Sequence, residues 1–328
     1  MSAQPRPARQ GAAATLVLAL LLALGPIGSA EAAPSVAARV AALAGDVREA
    51  DGHLYAAADD TGRTMDAAKI TQAPDGSYLA VYHSLLADGR FHAAVATSDD
   101  LLHWTRRHDF GPGTHQASLA REPGGGYVLA YEKDPNNHIA VRGYRDLDAL
   151  LAGRATRAYD APRTLSRCAE GTPTVTAVHD GTVELTGHYK DGCVRDRQLR
   201  ATLTDFRTWQ AAPDHALDRA LLVHGNTGNI GGRDPVRLDG SDLLLIEGQG
   251  RRGDFGTWRT YVYDAEHGTA DRLGIRTHGG SQAFANPSAT LIAAPDGQPA
   301  LLMSVFVPSE GSAPGEAGQL LYWRTLRG

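Results

Sequence analysis

Five times along this chain of 328 residues a glycine-centred turn runs into a short apolar segment. The turn glycines are Gly76, Gly125, Gly181, Gly240 and Gly297, so the successive gaps are 49, 56, 59 and 57 residues. The segments that follow, residues 78–83, 127–131, 183–188, 243–246 and 300–305, are the most apolar part of each copy. Asp-Gly or Gly-Gly between two such runs reads as a β-hairpin. Strand-turn-strand units repeating at this period signal a propeller or a similar closed array. The sequence therefore predicts an all-β chain folded as a five-bladed β-propeller. Such a fold carries its chemistry at one end of a central channel.

Residues 1–32 read as a signal peptide. Arg6 and Arg9 give a positive start, residues 12–24 are apolar apart from Thr15, and Ala30-Glu31-Ala32 fits a small-x-small cleavage site. The apolar run is short for a bilayer span, and the expectation is a secreted, extracellular protein. Removing Arg6, Arg9 and Glu31 takes 32 basic and 37 acidic residues to 30 and 36, a net charge of −6. With no basic block, neither nucleic acid nor a membrane surface is an expected partner, and a monomer is expected. Both cysteines, Cys168 and Cys193, fall symmetrically about the third turn, between Asp180 and Gly181. That symmetry sets them opposite each other in a hairpin, and export permits a disulfide. Closing that loop contributes about 3 to 4 kcal/mol in the chain-entropy model.

Residues 33–59 form a lead-in, and residues 60–328 the propeller. Val36, Val40, Leu43 and Val47 share one helical face. Third strands are expected over 91–97, 198–203 and 260–263. After two of them comes an Asp-led turn and a tryptophan: Ser98-Asp99-Asp100-Leu101-Leu102-His103-Trp104, and Thr204-Asp205-Phe206-Arg207-Thr208-Trp209. An Asp at such a turn bonds its own downstream backbone, and the tryptophans are expected to pack between blades. The fifth copy lacks a fourth strand, which residues 54–58 are expected to supply, closing the ring and removing an open edge.

Polar residues just before the inner strands are the site candidates: Asp66, His115 and Gln116, Glu170, Arg233 and Asp234, and Asn286. Three of the five blades thus bring a carboxylate towards one end of the channel. Converging carboxylates suit glycoside hydrolysis, in which one protonates the leaving oxygen and another, ionised, activates water or attacks carbon. The plainer role for each is to cap a turn or a strand end.

On these features the chain resembles the five-bladed glycoside hydrolases of family 43 and the related invertase-like family 32. The segment Ala96-Thr-Ser-Asp-Asp-Leu-Leu-His-Trp104 is similar to their blade-one signature, and Arg233-Asp234-Pro235 to the invertase-like Arg-Asp-Pro. Glu170-Gly171-Thr172-Pro173 is a loosened form of the acid motif. Ala67 stands where those families usually have proline, and their carboxylate order is Asp, Asp, Glu rather than Asp66, Glu170, Asp234. From their place before the inner strands, His115, Gln116, Arg233 and Asn286 are expected to bind the substrate. The resemblance implies Glu170 as general acid, Asp66 as general base and Asp234 as modulator, acting on an arabinan- or xylan-type substrate. It implies no cofactor and no catalytic metal, with room for a structural calcium ion in the channel. A non-catalytic glycan-binding propeller of the same fold is the alternative. Gly248-Gln-Gly-Arg-Arg-Gly253 matches a dinucleotide fingerprint in letters only, because no helix pattern follows it. It is expected to be a hairpin loop bordering the mouth, with Arg251 and Arg252 in reach of a ligand.

Overall fold

The protein, described by a computed structural model over residues 35–326 except Asp239, folds into five antiparallel sheets of four strands each. The expected leader lies outside the described residues. The inner strands are Asp66–Gln72, Thr114–Arg121, Glu170–His179, Ile230–Leu238 and Ala285–Ala293. Each pairs with the apolar second strand across its glycine turn, and all five turn glycines have φ between 75° and 93°. That is the left-handed region, where a Cβ meets the following carbonyl oxygen. The repeat in the sequence is therefore the repeat of the turns.

The apolar cores lie between blades. Leu79, Val81 and Val95 of blade one pack with Tyr127, Leu129 and Tyr131 of blade two. Trp104 is 2% exposed and closes the interface with Leu302, Leu321 and Trp323 of blade five. Its turn forms as expected, with Asp100 Oδ1 accepting from the amides of Leu102 (2.9 Å) and His103 (2.8 Å). Trp209 stacks on Tyr159 of blade two, with ring centroids 6.5 Å apart. The interface of blades three and four is served differently. Helix His215–Leu222, which the sequence reading did not anticipate, inserts Leu217 and Leu221 against Ile230, Ile246 and Tyr261.

The lead-in forms helix Val36–Ala44, whose Val40 and Ala44 pack with Val47 on blades four and five. The strand completing blade five is Gly52–Leu54, pairing Gly52 with Trp323 and Leu54 with Leu321. It shares only Leu54 with the expected 54–58, and Gly52 lies against the Trp323 indole. A Cβ there would stand 2.0 Å from the ring. The disulfide joins Cys168 and Cys193, with Cα atoms 5.5 Å apart.

Candidate active site at the channel mouth

Hairpin register sorts the channel residues by depth. Lys69, Ser118, Thr174 and Asp234 pair with Val81, Ala130, Thr186 and Leu245, each five residues after its turn glycine. Ser288 joins them through the hydrogen bond of its Oγ to Asp234 Oδ2 (2.9 Å), so that the five form one girdle around the channel. Three residues earlier lies the mouth layer: Asp66, His115, Gly171, Gly231 and Ala285. Every inner strand breaks register between or beside these two layers. At the break Ala67, Gln116, Thr172 and Asn286 all take positive φ, between 44° and 53°. These bulges turn the entry of each strand and re-aim its side chains.

At the mouth layer blades three and four contribute only glycine, and blade five only alanine. A Cβ at Gly171 or Gly231 would strike the carboxylate of Glu132 or Glu247 (2.0 and 2.3 Å), so these glycines let the neighbouring carboxyls approach the strand entries. Beside this layer lies a cavity of about 300 Å³ lined by Asp66, His83, Gln116, Glu247 and Asn286 among others. Phe91, Trp258, Phe255 and Phe306 form an aromatic wall. Phe255 stands at the rim, 50% exposed.

Two carboxyls in this cavity are perturbed. Burial pushes Asp66 from its ordinary 3.8 up to about 6, against a hydrogen bond from Thr64. Burial pushes Glu247 from 4.5 up to about 7, against the amides of Asn286 and Gly232 and the charge of Arg233. Glu247 Oε2 accepts from Asn286 N at 2.5 Å, and Oε1 accepts from Gly232 N. Each carboxylate oxygen keeps a second lone pair, so a proton on Glu247 does not require breaking either bond. Asp196 also borders the cavity, with His188 Nε2 and Lys190 Nζ each 3.7 Å from its Oδ1.

Glu247 belongs to a recurring position, seven residues after the turn glycine, shared with His83, Glu132 and His188. His83 Nδ1 accepts the Gln116 amide at 3.2 Å, and Glu132 Oε2 accepts the Thr172 amide at 2.9 Å. These side chains join one blade to the bulge of the next. The sequence reading passed over Glu247 because it ends the apolar run 243–246. Counting seven from each turn glycine would have found it.

The three expected carboxylates do not converge. Asp66 lines the cavity. Glu170 lies one residue before the mouth layer, and alternation along a strand turns such a side chain away from the channel. It is 2% exposed, and its Oε1 accepts the amides of Leu165 and Ser166 in the loop that carries Cys168. Asp234 lies in the girdle, three residues deeper than Asp66. Its Oδ1 meets Lys69 Nζ at 3.1 Å and its Oδ2 accepts from Ser288 Oγ at 2.9 Å. It borders a separate hollow of about 320 Å³.

Of the expected binding residues, Gln116 and Asn286 line the cavity. His115 stands behind the wall, with its ring 5.5 Å from that of Phe91 and Nε2 3.7 Å from Asp134. Arg233 is fully buried, donating to the carbonyls of Gly231 (3.1 Å) and Thr172 (2.9 Å), whose residues line the cavity. Burial pulls its pKa down to about 10. In the 248–253 loop Arg251 pairs with Asp254 at 2.5 Å, while Arg252 reaches a hollow shared with Phe255 and Trp258.

The girdle does not suit the calcium ion that the resemblance left room for. Lys69 spans it from blade one, donating to Thr174 Oγ1 (2.6 Å) and the Arg233 carbonyl (2.8 Å) as well as to Asp234. A second cation in that layer would meet an ammonium at close range. Among the described residues no group of three or more His, Cys, Asp or Glu is placed to hold a metal.

No protein-family model matches the sequence, and no curated protein does. Among solved structures the chain is similar to a thermostable family-43 glycoside hydrolase, at 11% identity and a TM-score of 0.53, over 84% of this chain and 93% of that one. It is also similar to a second glycoside hydrolase, at 12% identity and a TM-score of 0.59, over 89% and 95% of the two chains. A third is an α-L-arabinofuranosidase from Podospora anserina in complex with cellotriose, at 12% identity and a TM-score of 0.56, over 86% and 97%. Identities this low establish the five-bladed fold, and activity has to be argued from the site.

Proposed function

We propose that this protein is an exported glycoside hydrolase whose reaction takes place in the mouth cavity, with Glu247 as proton donor and Asp66 as base. The observation that carries this reading is one aromatic-walled cavity holding two carboxyls that burial pushes to about 6 and about 7. Two titratable groups with separated pKa values in one site are the pattern of an acid and a base. Between those values Asp66 is mostly ionised and Glu247 mostly protonated. Glu247 then gives its proton to the leaving glycosidic oxygen as the bond to the anomeric carbon breaks. Asp66 takes a proton from the water whose oxygen attacks that carbon. Exchange with solvent returns both groups to their starting states. The half-exposed Phe255 offers a sugar ring an apolar face at the entrance.

An arabinan- or xylan-type glycan is the proposed substrate class, supported by the sequence resemblance and by the arabinofuranosidase among the similar folds. Export is supported by the leader pattern in the sequence and by the disulfide.

The reading is tested by reducing-sugar release from arabinans, xylans and fructans, run with Asp66→Asn, Glu247→Gln and Glu170→Gln. Release by the parent that is lost in the first two variants and kept in the third is the expected result. Release lost only in Glu170→Gln would return the acid role to that residue. A second reading, a glycan-binding propeller without turnover, draws on one observation: both Glu247 oxygens already accept a backbone amide, as in a purely structural tie between blades. Binding without release from any glycan would favour it.

A further inference from the structure

His83 lies in the wall of the mouth cavity, 6% exposed, on the second strand of blade one and in register with Asp66. Its Nδ1 accepts the backbone amide of Gln116 in blade two at 3.2 Å. An amide only donates, so Nδ1 must carry a lone pair, and the ring proton of the neutral imidazole is fixed on Nε2. The Phe91 ring, edge to face at 5.0 Å, holds the imidazole plane. Among the described residues no acceptor meets Nε2–H. Nε2–H faces the cavity, where water can take it, and a ligand that covers it without offering an acceptor leaves a donor unpaired at a cost in free energy.

The surroundings keep the ring neutral. Burial, and then the neighbouring His115, push its pKa down to about 3, against the pull of Glu132. Over any working pH its Nε2 is thus a donor of fixed direction towards the cavity, and the ring carries no charge.

We propose that His83 is the residue that orients the bound sugar, donating its Nε2–H to a hydroxyl or ring oxygen of the unit held beside Asp66. The proposal rests on the reading of the mouth cavity as a sugar site, but it does not need that site to be catalytic. Its consequence is selectivity for ligands that present an acceptor at this point of the wall. A ligand lacking that oxygen leaves Nε2–H buried and unpaired, a larger penalty than the loss of an exposed contact.

The test uses two substitutions that separate the two ring nitrogens. His83→Asn keeps an acceptor where Nδ1 meets the Gln116 amide and removes the donor at Nε2. His83→Gln places an amide donor near the Nε2 position. Binding of arabinobiose, xylobiose and sucrose is measured by calorimetry on the full chain, with melting temperatures as the control for folding. For whichever sugar binds, we expect about 10-fold weaker binding in His83→Asn at an unchanged melting temperature, with partial recovery in His83→Gln. Nitrogen-15 spectra of the histidine rings give a second readout. They should show His83 as the neutral Nε2–H tautomer from pH 5 to 8, with that resonance moving on sugar addition.

Weakened binding with no hydrolysis by the parent upholds His83 and removes the hydrolase reading. Unchanged binding in His83→Asn overturns the proposal and leaves the hydrolase reading standing. A proton on Nδ1, titration within that pH range, or no binding of any of the three sugars overturns it as well.

Discussion

Asp66 and Glu247 stand apart from carboxylates such as Asp59 and Asp109, which accept several hydrogen bonds and sit below their ordinary range. At the mouth burial wins over hydrogen bonding, so both groups hold protons more tightly when folded. The expected kcat/KM profile is a narrow bell, rising as Asp66 ionises near pH 6 and falling as Glu247 loses its proton near pH 7. A flat profile across that range would remove both assignments. Asp66→Asn and Glu247→Gln should each lower kcat/KM by about 10²- to 10⁴-fold. The same shifts set a sign for stability. Each folded pKa lies above its ordinary value, so the folded chain holds more protons between about pH 4 and 7, and stability falls as pH rises through that window. In Glu247→Gln that decline should be shallower, read from denaturant midpoints between pH 5 and 8. Glu170 belongs to the opposite class. Glu170→Ala leaves the part-buried Leu165 amide and the buried Ser166 amide without their acceptor, so we expect a loss of about 1–3 kcal/mol in stability with activity retained per folded molecule.

The elements are held by devices of different kinds. Turns are set by glycine at positive φ, strand entries by bulges, and three of the blade-to-blade junctions by His83, Glu132 and Glu247, each seven residues after its turn glycine. The closing strand depends on the absence of a side chain at Gly52, where a Cβ would stand 2.0 Å from the Trp323 ring. Gly52→Ala should therefore cost about 1–3 kcal/mol through overpacking, seen as a lower melting temperature. In blade three the disulfide ties the loop before the inner strand to the hairpin tip after it. Reduction should lower the melting temperature through loop-closure entropy, by about 3 kcal/mol in that model. Because the same loop carries the amides that Glu170 accepts, reduction and Glu170→Ala should be less than additive.

For the whole molecule, ring closure decides stability. The outer strand of blade five comes from the N-terminal side of the described chain and its neighbours from the C-terminal side, so opening that pairing exposes a sheet edge and the Trp323 face together. Deleting residues 35–54 should lower the unfolding midpoint and promote association, followed by light scattering. The girdle is the second global feature: the Lys69–Asp234 pair links blades one and four across the channel and separates the mouth cavity from the hollow on the other side.

The sequence by itself determined the number of blades, the all-β class and the disulfide partners. All of these follow from local signals repeated at a fixed period, since a turn glycine or an Asp-led turn acts on residues a few positions away. What the sequence reading could not settle was depth. Asp66, Glu170 and Asp234 lie 10, 11 and 6 residues before their turn glycines. In a strand whose side chains alternate, an offset of one turns a side chain away and an offset of several carries it to another layer. Only the pairing register, with a bulge in every inner strand, fixed those offsets. The cavity is lined from all five blades, and its second carboxyl comes from a strand end that reads as core and is let in by Gly231, where a Cβ would stand 2.3 Å from Glu247 Oε1. Such a site exists only once five distant segments have closed around it.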